Sequence, residues 1–358
     1  MKAVKQNNFL IKQCELHACL RFCMTLCRWA GMFPVEGLNK STSTGLRCNI
    51  KSLYVIYHVA TLVCQSILTF LTLYHFFIND LTLYNLTNVL FYLTSWLSAM
   101  CLLKLALNWP KLINRASHIE IEHILSVVFK VRLEISKRNL ETSQTNNVHG
   151  FWDFLEIFVR KNAPYVFSFI SYRNWIAIIY EFVNLQATFL WNFADAMTMC
   201  ISIYLTSYFK DLYEVIGRQK KQNIINWKEI RVYYSHLVEL VNEVNSNIIV
   251  FLSFASNLFF VCLKIYHVIR AYEYDIYHLF SLGFIILRSS LVSIIGARVH
   301  SASLVAAPSL YNVPSPSYCT EVQRFIEQLH GDTVALTGLN FFYVTKELVL
   351  SVSIYFYY

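Results

Sequence analysis

Charge is scarce in this 358-residue chain. Asp, Glu, Lys and Arg together make up 15% of it, against roughly 25% in an average soluble domain. Mean hydropathy is +0.43, and a water-soluble protein with that surplus would expose large apolar patches. Helix breakers are also few inside the apolar runs. All six prolines (Pro34, Pro110, Pro164, Pro308, Pro314 and Pro316) fall outside them, where residues that interrupt a helix belong. Ten cysteines are present, but no CxxC pair, so a disulfide framework or a paired zinc site is not indicated. Cys14, Cys19, Cys23 and Cys27 lie roughly along one helical stripe, as expected of a helix packed near a membrane. No P-loop, GxGxxG or GxSxG stands in a supporting context. His118-Ile-Glu-Ile-Glu-His123 has the wrong spacing for either zinc-protease motif. The chain is therefore read as a non-enzyme, with no cofactor and no metal.

What is abundant is apolar: 56% hydrophobic and 16% aromatic residues. A bilayer span needs about 20 mostly apolar residues. Ser52–Ile78, Leu83–Leu107, Tyr172–Tyr208, Ile248–Ile269, Tyr277–Ala297 and Leu336–Tyr358 satisfy this, and Tyr172–Tyr208 is long enough to project beyond the membrane. The net charge of +8 sits mostly between these runs, which suits an anionic leaflet and lipid contact rather than nucleic acid. The N-terminus lacks a convincing signal peptide, because Lys12, Glu15, His17 and Arg21 interrupt its apolar stretch. The basic N-terminus, and a first loop without basic residues, place the N-terminus in the cytoplasm. A further span at 112–135 is weak, since it carries Arg115, His118, Glu120, Glu122, His123, Lys130 and Arg132. The distribution of basic residues fits six or seven spans equally well.

Several separated motifs then resemble one family. Phe33-Pro34-Val35-Glu36-Gly37 is similar to a segment that precedes the first helix of insect gustatory receptors. The run from Ala187 through Trp191-Asn192-Phe193-Ala194-Asp195 resembles their fourth-helix signature, and Ala255–Leu263 resembles a fifth-helix run. Glu321, Arg324, Phe325, Ala335–Gly338, Phe341, Phe342 and Thr345 match their C-terminal region. The resemblance covers most of the chain and points to the sugar (sweet-taste) receptor subfamily. That subfamily's weak third span carries a Glu-His pair, matched by Glu122-His123, which implies seven spans.

The fold expected is thus an all-α membrane protein of seven transmembrane helices, with a cytoplasmic N-terminus and an extracellular C-terminus. Residues 1–51 form a cytoplasmic N-terminal segment and 52–297 the first six helices as the ligand-binding bundle. Residues 298–335 form a cytoplasmic anchor, and 336–358 an incomplete seventh, pore-lining helix. Within the inner loops, Asn226–Asn247 and Pro316–Asp332 read as amphipathic helices. The resemblance implies a sugar-gated, non-selective cation channel in the plasma membrane, assembled with other receptor subunits as a homotetramer or heterotetramer. Ser353–Tyr358 depart from the family's ending, so a non-conducting, truncated regulatory subunit is the alternative. A G-protein-coupled receptor is a weaker one, since Asp-Arg-Tyr and Asn-Pro-x-x-Tyr are missing from the places that reading needs.

Sugars are polar at their edges and apolar on their ring faces, so their pockets need aromatic platforms with amides and carboxylates. In the outer halves of the spans the candidates are Glu181, Asn184, Asn88, Tyr92, Tyr266, His267 and Tyr277. Glu181 and Asn184 lead, because residues one helical turn apart share a face. Residues of this kind also satisfy one another between helices. Asp195 and Arg288 lie deeper, where charges are expected to be paired or water-facing. With Trp191 they are candidates for a structural or gating role. Phe341, Phe342 and Thr345 are assigned to the pore helix.

Overall fold

The structure, a computed structural model of the chain, describes residues 24–25, 27–38, 47–49, 51–79, 82–113, 151–221, 225–246, 248–270 and 276–348. Among these, helices dominate and the only bridges are two isolated ones. Ten helices follow in order: α1 Leu53–Ile78, α2 Leu83–Ile113, α3 Phe151–Asn162, α4 Pro164–Phe167, α5 Asn174–Lys221, α6 Trp227–Asn245, α7 Ile249–Arg270, α8 Ile276–Ser303, α9 Ala307–Tyr311 and α10 Thr320–Gly331.

Among the described residues, four helical stretches are long and apolar enough to cross a membrane: Leu53–Ile78, Leu83–Leu107, Ile249–Tyr266 and Leu279–Tyr311. The pattern on α1 is inverted relative to a soluble helix. His58, Thr61, Gln65, Thr69 and Thr72 are buried. Ile56, Val59, Val63, Ile67, Phe70, Tyr74 and Phe77 are exposed along the opposite stripe. In water that arrangement would be costly. In lipid it is favourable, because the apolar stripe meets acyl chains while hydroxyls and amides find partners inside the bundle. Thr69 and Thr72 donate back to the carbonyls of Gln65 and Leu68 at 2.8 and 3.0 Å, which removes the cost of burying them.

The axis of the fold is α5. Its 48 residues extend about 72 Å at 1.5 Å per residue, more than twice the roughly 30 Å of a hydrocarbon core. It continues well past the expected end at Tyr208. It packs most extensively on α8, then on α2 and α7, and its far end meets α6. The helix α6 starts at a reciprocal cap: Asn226 Oδ1 accepts from Glu229 N at 3.3 Å while Asn226 Nδ2 donates to Glu229 Oε2 at 3.2 Å. It then packs its buried stripe (Trp227, Ile230, Tyr234, Leu237, Val241) with α10. Both amphipathic helices expected from periodicity therefore form.

Two apolar clusters result. The larger joins the C-terminal parts of α5 and α8 with α6, α10 and residues 27–38. The smaller gathers Leu68, Tyr92, Val159, Ala163, Tyr165, Val166, Ala177, Tyr180, Val183 and Ala187 at the opposite end.

Two segments differ from the sequence reading. Residues 27–38 do not merely precede the bundle. Met32, Phe33, Val35 and Leu38 belong to its larger cluster, and the Ala30 and Gly31 carbonyls are held from within. Gln186 Nε2 donates to Ala30 O at 2.7 Å, and Thr61 Oγ1 donates to Gly31 O at 3.1 Å, with His58 Nδ1 2.9 Å from the same oxygen. Gly31 has φ +76, and a Cβ there would lie 2.8 Å from the Tyr57 ring, so the close approach requires glycine.

The helix expected from Leu336 begins later. Residues 336–345 form a bridged loop, with Thr337 opposite Tyr343 and helix resuming at Lys346. Leu339 and Asn340 have φ of 51° and 63°, in the left-handed region that cannot continue a right-handed helix. Asn245 clamps the loop, donating to Ala335 O and accepting from Thr337 N, both at 2.9 Å. The pore-helix candidates Phe341, Phe342 and Thr345 lie in this loop. Phe341 is 79% exposed, and Phe342 packs on Phe254 at 5.6 Å between ring centroids.

The third span expected at 112–135 lies outside the described residues except for its first two positions, which end α2. The altered ending, residues 353–358, also lies outside them.

Candidate ligand site

Two buried polar assemblies lie along one face of α5. Tyr180, Asn184, Trp191 and Asp195 follow one another at close to whole turns of a 3.6-residue helix. The upper assembly is neutral. Tyr92 of α2, Tyr165 of α4 and Tyr180 of α5 meet hydroxyl to hydroxyl: Tyr92 to Tyr165 at 3.0 Å, Tyr165 to Tyr180 at 2.9 Å and Tyr92 to Tyr180 at 3.3 Å. Tyr92 also donates to Asn184 Oδ1 at 3.4 Å. All three tyrosines are at most 5% exposed. Tyr165 reaches the triangle because Pro164 starts the short α4, its fixed φ being suited to a first helical position.

Of the candidates read from sequence, the structure brings Tyr92 and Asn184 into contact. Glu181 stands partly buried on the same helix and bears electrostatically on Tyr92 and Tyr180. Asn88 lies one turn before Tyr92 on α2, with its amide nitrogen buried and without a hydrogen-bond partner. Tyr266 sits apart, 41% exposed on α7. His267 is on the same helix and Tyr277 at the start of α8, and their side chains lie outside the described set.

Chemically, the triangle is a set of exchangeable partners. Each hydroxyl can donate once and accept twice, so an incoming hydroxyl can replace a tyrosine at little net cost in hydrogen bonds. The walls are aromatic. Phe91 lies 5.1 Å from Tyr92 edge-on, Phe167 is 6.3 Å from Tyr180, and His75 is 6.4 Å from Tyr165. Such faces cover the apolar side of a ring.

The lower assembly is charged and closed. Arg288 Nε lies 2.7 Å from Asp195 Oδ2, with the two side chains 8% and 1% exposed. Asn257 Nδ2 donates to Asp195 Oδ1 at 2.9 Å, and Ser253 Oγ donates to the same oxygen. The other guanidinium nitrogens donate to Asn192 Oδ1 at 2.6 Å and Asn257 Oδ1 at 2.8 Å. The guanidinium also sits 4.0 Å from the Trp191 ring centroid, a cation–π contact. Asp195 and Arg288, foreseen as deep charges needing partners, are thus each other's partner. A group so fully committed has little left for a ligand, whereas the hydroxyl triangle can rearrange.

Tyr165, Asn192, Ser253 and Asn257 were missed as site residues. Asn192 and Asn257 stand inside the two motifs of the helical signatures. The Pro164-Tyr165 pair gave no comparable signal, because only the tertiary fold carries α4 back onto α5.

The family described as "Trehalose receptor" matches residues 1–140 and 121–356 of this chain. Similar proteins from Drosophila melanogaster include gustatory receptor for sugar taste 64f, 27% identical over an alignment of 368 residues, gaps included, that covers 95% of this chain and 78% of the relative. Gustatory receptor 5a for trehalose is 25% identical over a gapped alignment of 360 residues that covers 90% of this chain and 78% of its own. Gustatory receptor for sugar taste 64b is 32% identical over 206 residues, covering 55% and 51%. Among solved structures, the insect olfactory receptor OR5 from Machilis hrabei in complex with eugenol aligns with a TM-score of 0.65, at 16% identity over 94% of each chain. At that identity the likeness concerns the fold.

Proposed function

The chain belongs to the trehalose-receptor family, the insect sugar gustatory receptors, and from that premise we propose that it is a taste-receptor subunit gated by a neutral sugar. The observation that carries this reading is the triangle of Tyr92, Tyr165 and Tyr180 closed by Asn184. It offers exchangeable hydroxyl partners within aromatic walls, and it contains no charge of its own that an ionic ligand could require. Glu181 at its margin adds an acceptor for hydroxyl donors, and Asn88 adds a spare amide donor.

In the full reading, seven helices cross the plasma membrane with the N-terminus in the cytoplasm. Several such subunits, four by the family resemblance, surround a cation pathway. The Asp195–Arg288 layer is structural or takes part in gating, and the segment after the Thr337 loop continues toward the pathway. Phe341, Phe342 and Thr345 then act at the entrance to the last helix rather than along it. Gating requires no bond chemistry. A sugar that fits the open arrangement better than the closed one shifts the population toward it.

The test is whole-cell recording from cells with confirmed surface expression, using trehalose, sucrose, maltose, glucose and fructose. A sugar-evoked cation current is expected, and Tyr92→Phe with Asn184→Ala should raise the half-maximal concentration at least about tenfold, equivalent to about 1.4 kcal/mol. Silence to every sugar with the protein at the surface would overturn the reading.

A further inference from the structure

The two polar assemblies on α5 are joined by an unbroken run of rings. Tyr92 of the hydroxyl triangle touches its neighbour Phe91, with centroids 5.1 Å apart and planes at 74°. Phe91 meets Trp191 edge-on at 6.4 Å and 85°. Trp191 carries the Arg288 guanidinium 4.0 Å from its ring centroid, and Arg288 is ion-paired with Asp195. Trp191 is further wedged by Phe260 of α7, with centroids 4.7 Å apart. The indole therefore touches side chains of α2, α7 and α8 while itself belonging to α5. Its Nε1 is buried without a hydrogen-bond partner. No hydrogen bond fixes the ring; it is held by its ring neighbours and by the guanidinium on its face, and so responds to what presses on it.

We propose that Trp191 is the positioning residue that couples the Tyr92–Tyr165–Tyr180 cluster to the Asp195–Arg288 pair. The mechanism is mechanical. When Tyr92 changes partner, Phe91 moves with it on the same turn of α2, and the edge of Phe91 bears on the indole. The indole face is one wall of the Arg288 seat. Asn192, the next residue on α5, holds another nitrogen of the same guanidinium at 2.6 Å. A tilt of this turn therefore changes two of the contacts that fix Arg288. The backbone of α5 offers a competing route, since Tyr180 and Asp195 lie about 22 Å apart along one helix at 1.5 Å per residue. A straight helix, however, transmits displacement without regard to which ring stands at position 191, and this separates the two routes.

The first test needs no ligand and so stands whether or not the sugar reading does. Melting temperatures of the full chain in detergent are measured for Tyr92→Phe, Arg288→Lys and the two combined, in the parent and again in a Trp191→Leu background. Substitutions that share no partner normally add. With Trp191 present, the combined shift is expected to depart from the sum by about 2 °C or more; in Trp191→Leu the shifts should add. Should Trp191→Leu not fold, Trp191→Phe replaces it, and the departure should fall by at least about half. Additivity in every background overturns the proposal. A departure of the same size with and without the indole also overturns it, and assigns the coupling to the α5 backbone.

A second arm rests on the sugar reading. Arg288→Lys should change sugar affinity about fivefold or more in the parent, within the usual range of coupling between sites, and less than about twofold in Trp191→Leu. Equal changes in both backgrounds speak against Trp191. A parent that binds no sugar speaks against the ligand reading alone and leaves the melting result to decide.

Discussion

Two arginine–carboxylate pairs of nearly the same separation hold this molecule in environments of opposite polarity. In the bundle, Arg288 Nε lies 2.7 Å from Asp195, and the side chains are 8% and 1% exposed. Between α6 and α10, Arg231 Nε lies 2.8 Å from Glu321, and the side chains are 25% and 23% exposed. Distance does not distinguish them. What differs is the rest of the coordination. The buried pair is closed by Asn192, Asn257, Ser253 and the Trp191 face. The outer pair has Arg324 as an additional cation 3.0 Å from Glu321 and can fall back on water. A buried charge must find every partner inside the protein, while an exposed one can exchange a partner for solvent. The two pairs therefore do different work: one fixes how α5, α7 and α8 meet, and the other trims the docking of α10 on α6.

Breaking the buried pair should have the largest effect. Arg288→Ala leaves Asp195 charged and enclosed, and Asp195→Ala does the same to Arg288. Each is expected to cost about 3–5 kcal/mol, seen as loss of surface expression and a collapse of the detergent melting transition. Replacing both at once, as Asp195→Asn with Arg288→Met, should recover most of that loss, because no unpaired charge remains. If either single substitution melts like the parent, the pair is solvated and the comparison fails.

The neutral partners sharpen the same contrast. Asn257 donates to Asp195 at 2.9 Å and accepts from Arg288 at 2.8 Å, so Asn257→Ala strips one bond from each ion. It should lower stability by about 1–3 kcal/mol. Its counterpart outside is Arg324→Ala, which removes the second cation from Glu321 and should stay within about 0.5 kcal/mol, as exposed substitutions do. Thermal melts of the two variants side by side provide the measurement, and equal shifts would count against the role given to burial.

How much of this was legible in the sequence depends on the range of the interaction. The apolar runs announced α1, α2, α7 and α8, and the 3.6 periodicity of Trp227, Ile230, Tyr234, Leu237 and Val241 announced α6, because these signals are local. Asp195 and Arg288 could be marked as charges in need of partners from their depth alone. Their actual environment could not, since Ser253 and Asn257 arrive from α7, about 60 residues away. Tyr92 and Asn184 were marked because a sugar pocket needs aromatic platforms and amides and both stand in the outer halves of their spans. Tyr165 was not, because α4 has one turn and its place depends on how α3 and α4 fold back on α5. The Leu336–Thr345 loop misled for a different reason. It opens an apolar run, and the left-handed Leu339 and Asn340, with the Asn245 clamp, keep its first residues out of the helix. A clamp supplied by another element leaves no trace in local hydropathy.

The smallest expected effect belongs to the outer pair and has a definite pH window. The Glu321 carboxyl is held below the usual glutamate range, first by its hydrogen bond from Arg231, against a smaller opposing push from burial. A carboxylate with a lowered folded value contributes stability that is fully present above its unfolded value of about 4.3. The contribution is lost as pH falls through the lower folded value. Glu321→Gln should therefore lower the melting midpoint by no more than about 2 °C at neutral pH. Below about pH 4 the difference from the parent should shrink toward zero, because the parent's own carboxyl becomes neutral. Melting curves of the two proteins taken from pH 7 to pH 3 isolate this group, since every other titration is common to both. A gap that is wide at pH 7, or that persists unchanged at pH 3, would mean that Glu321 acts through packing on α6 and not through its charge.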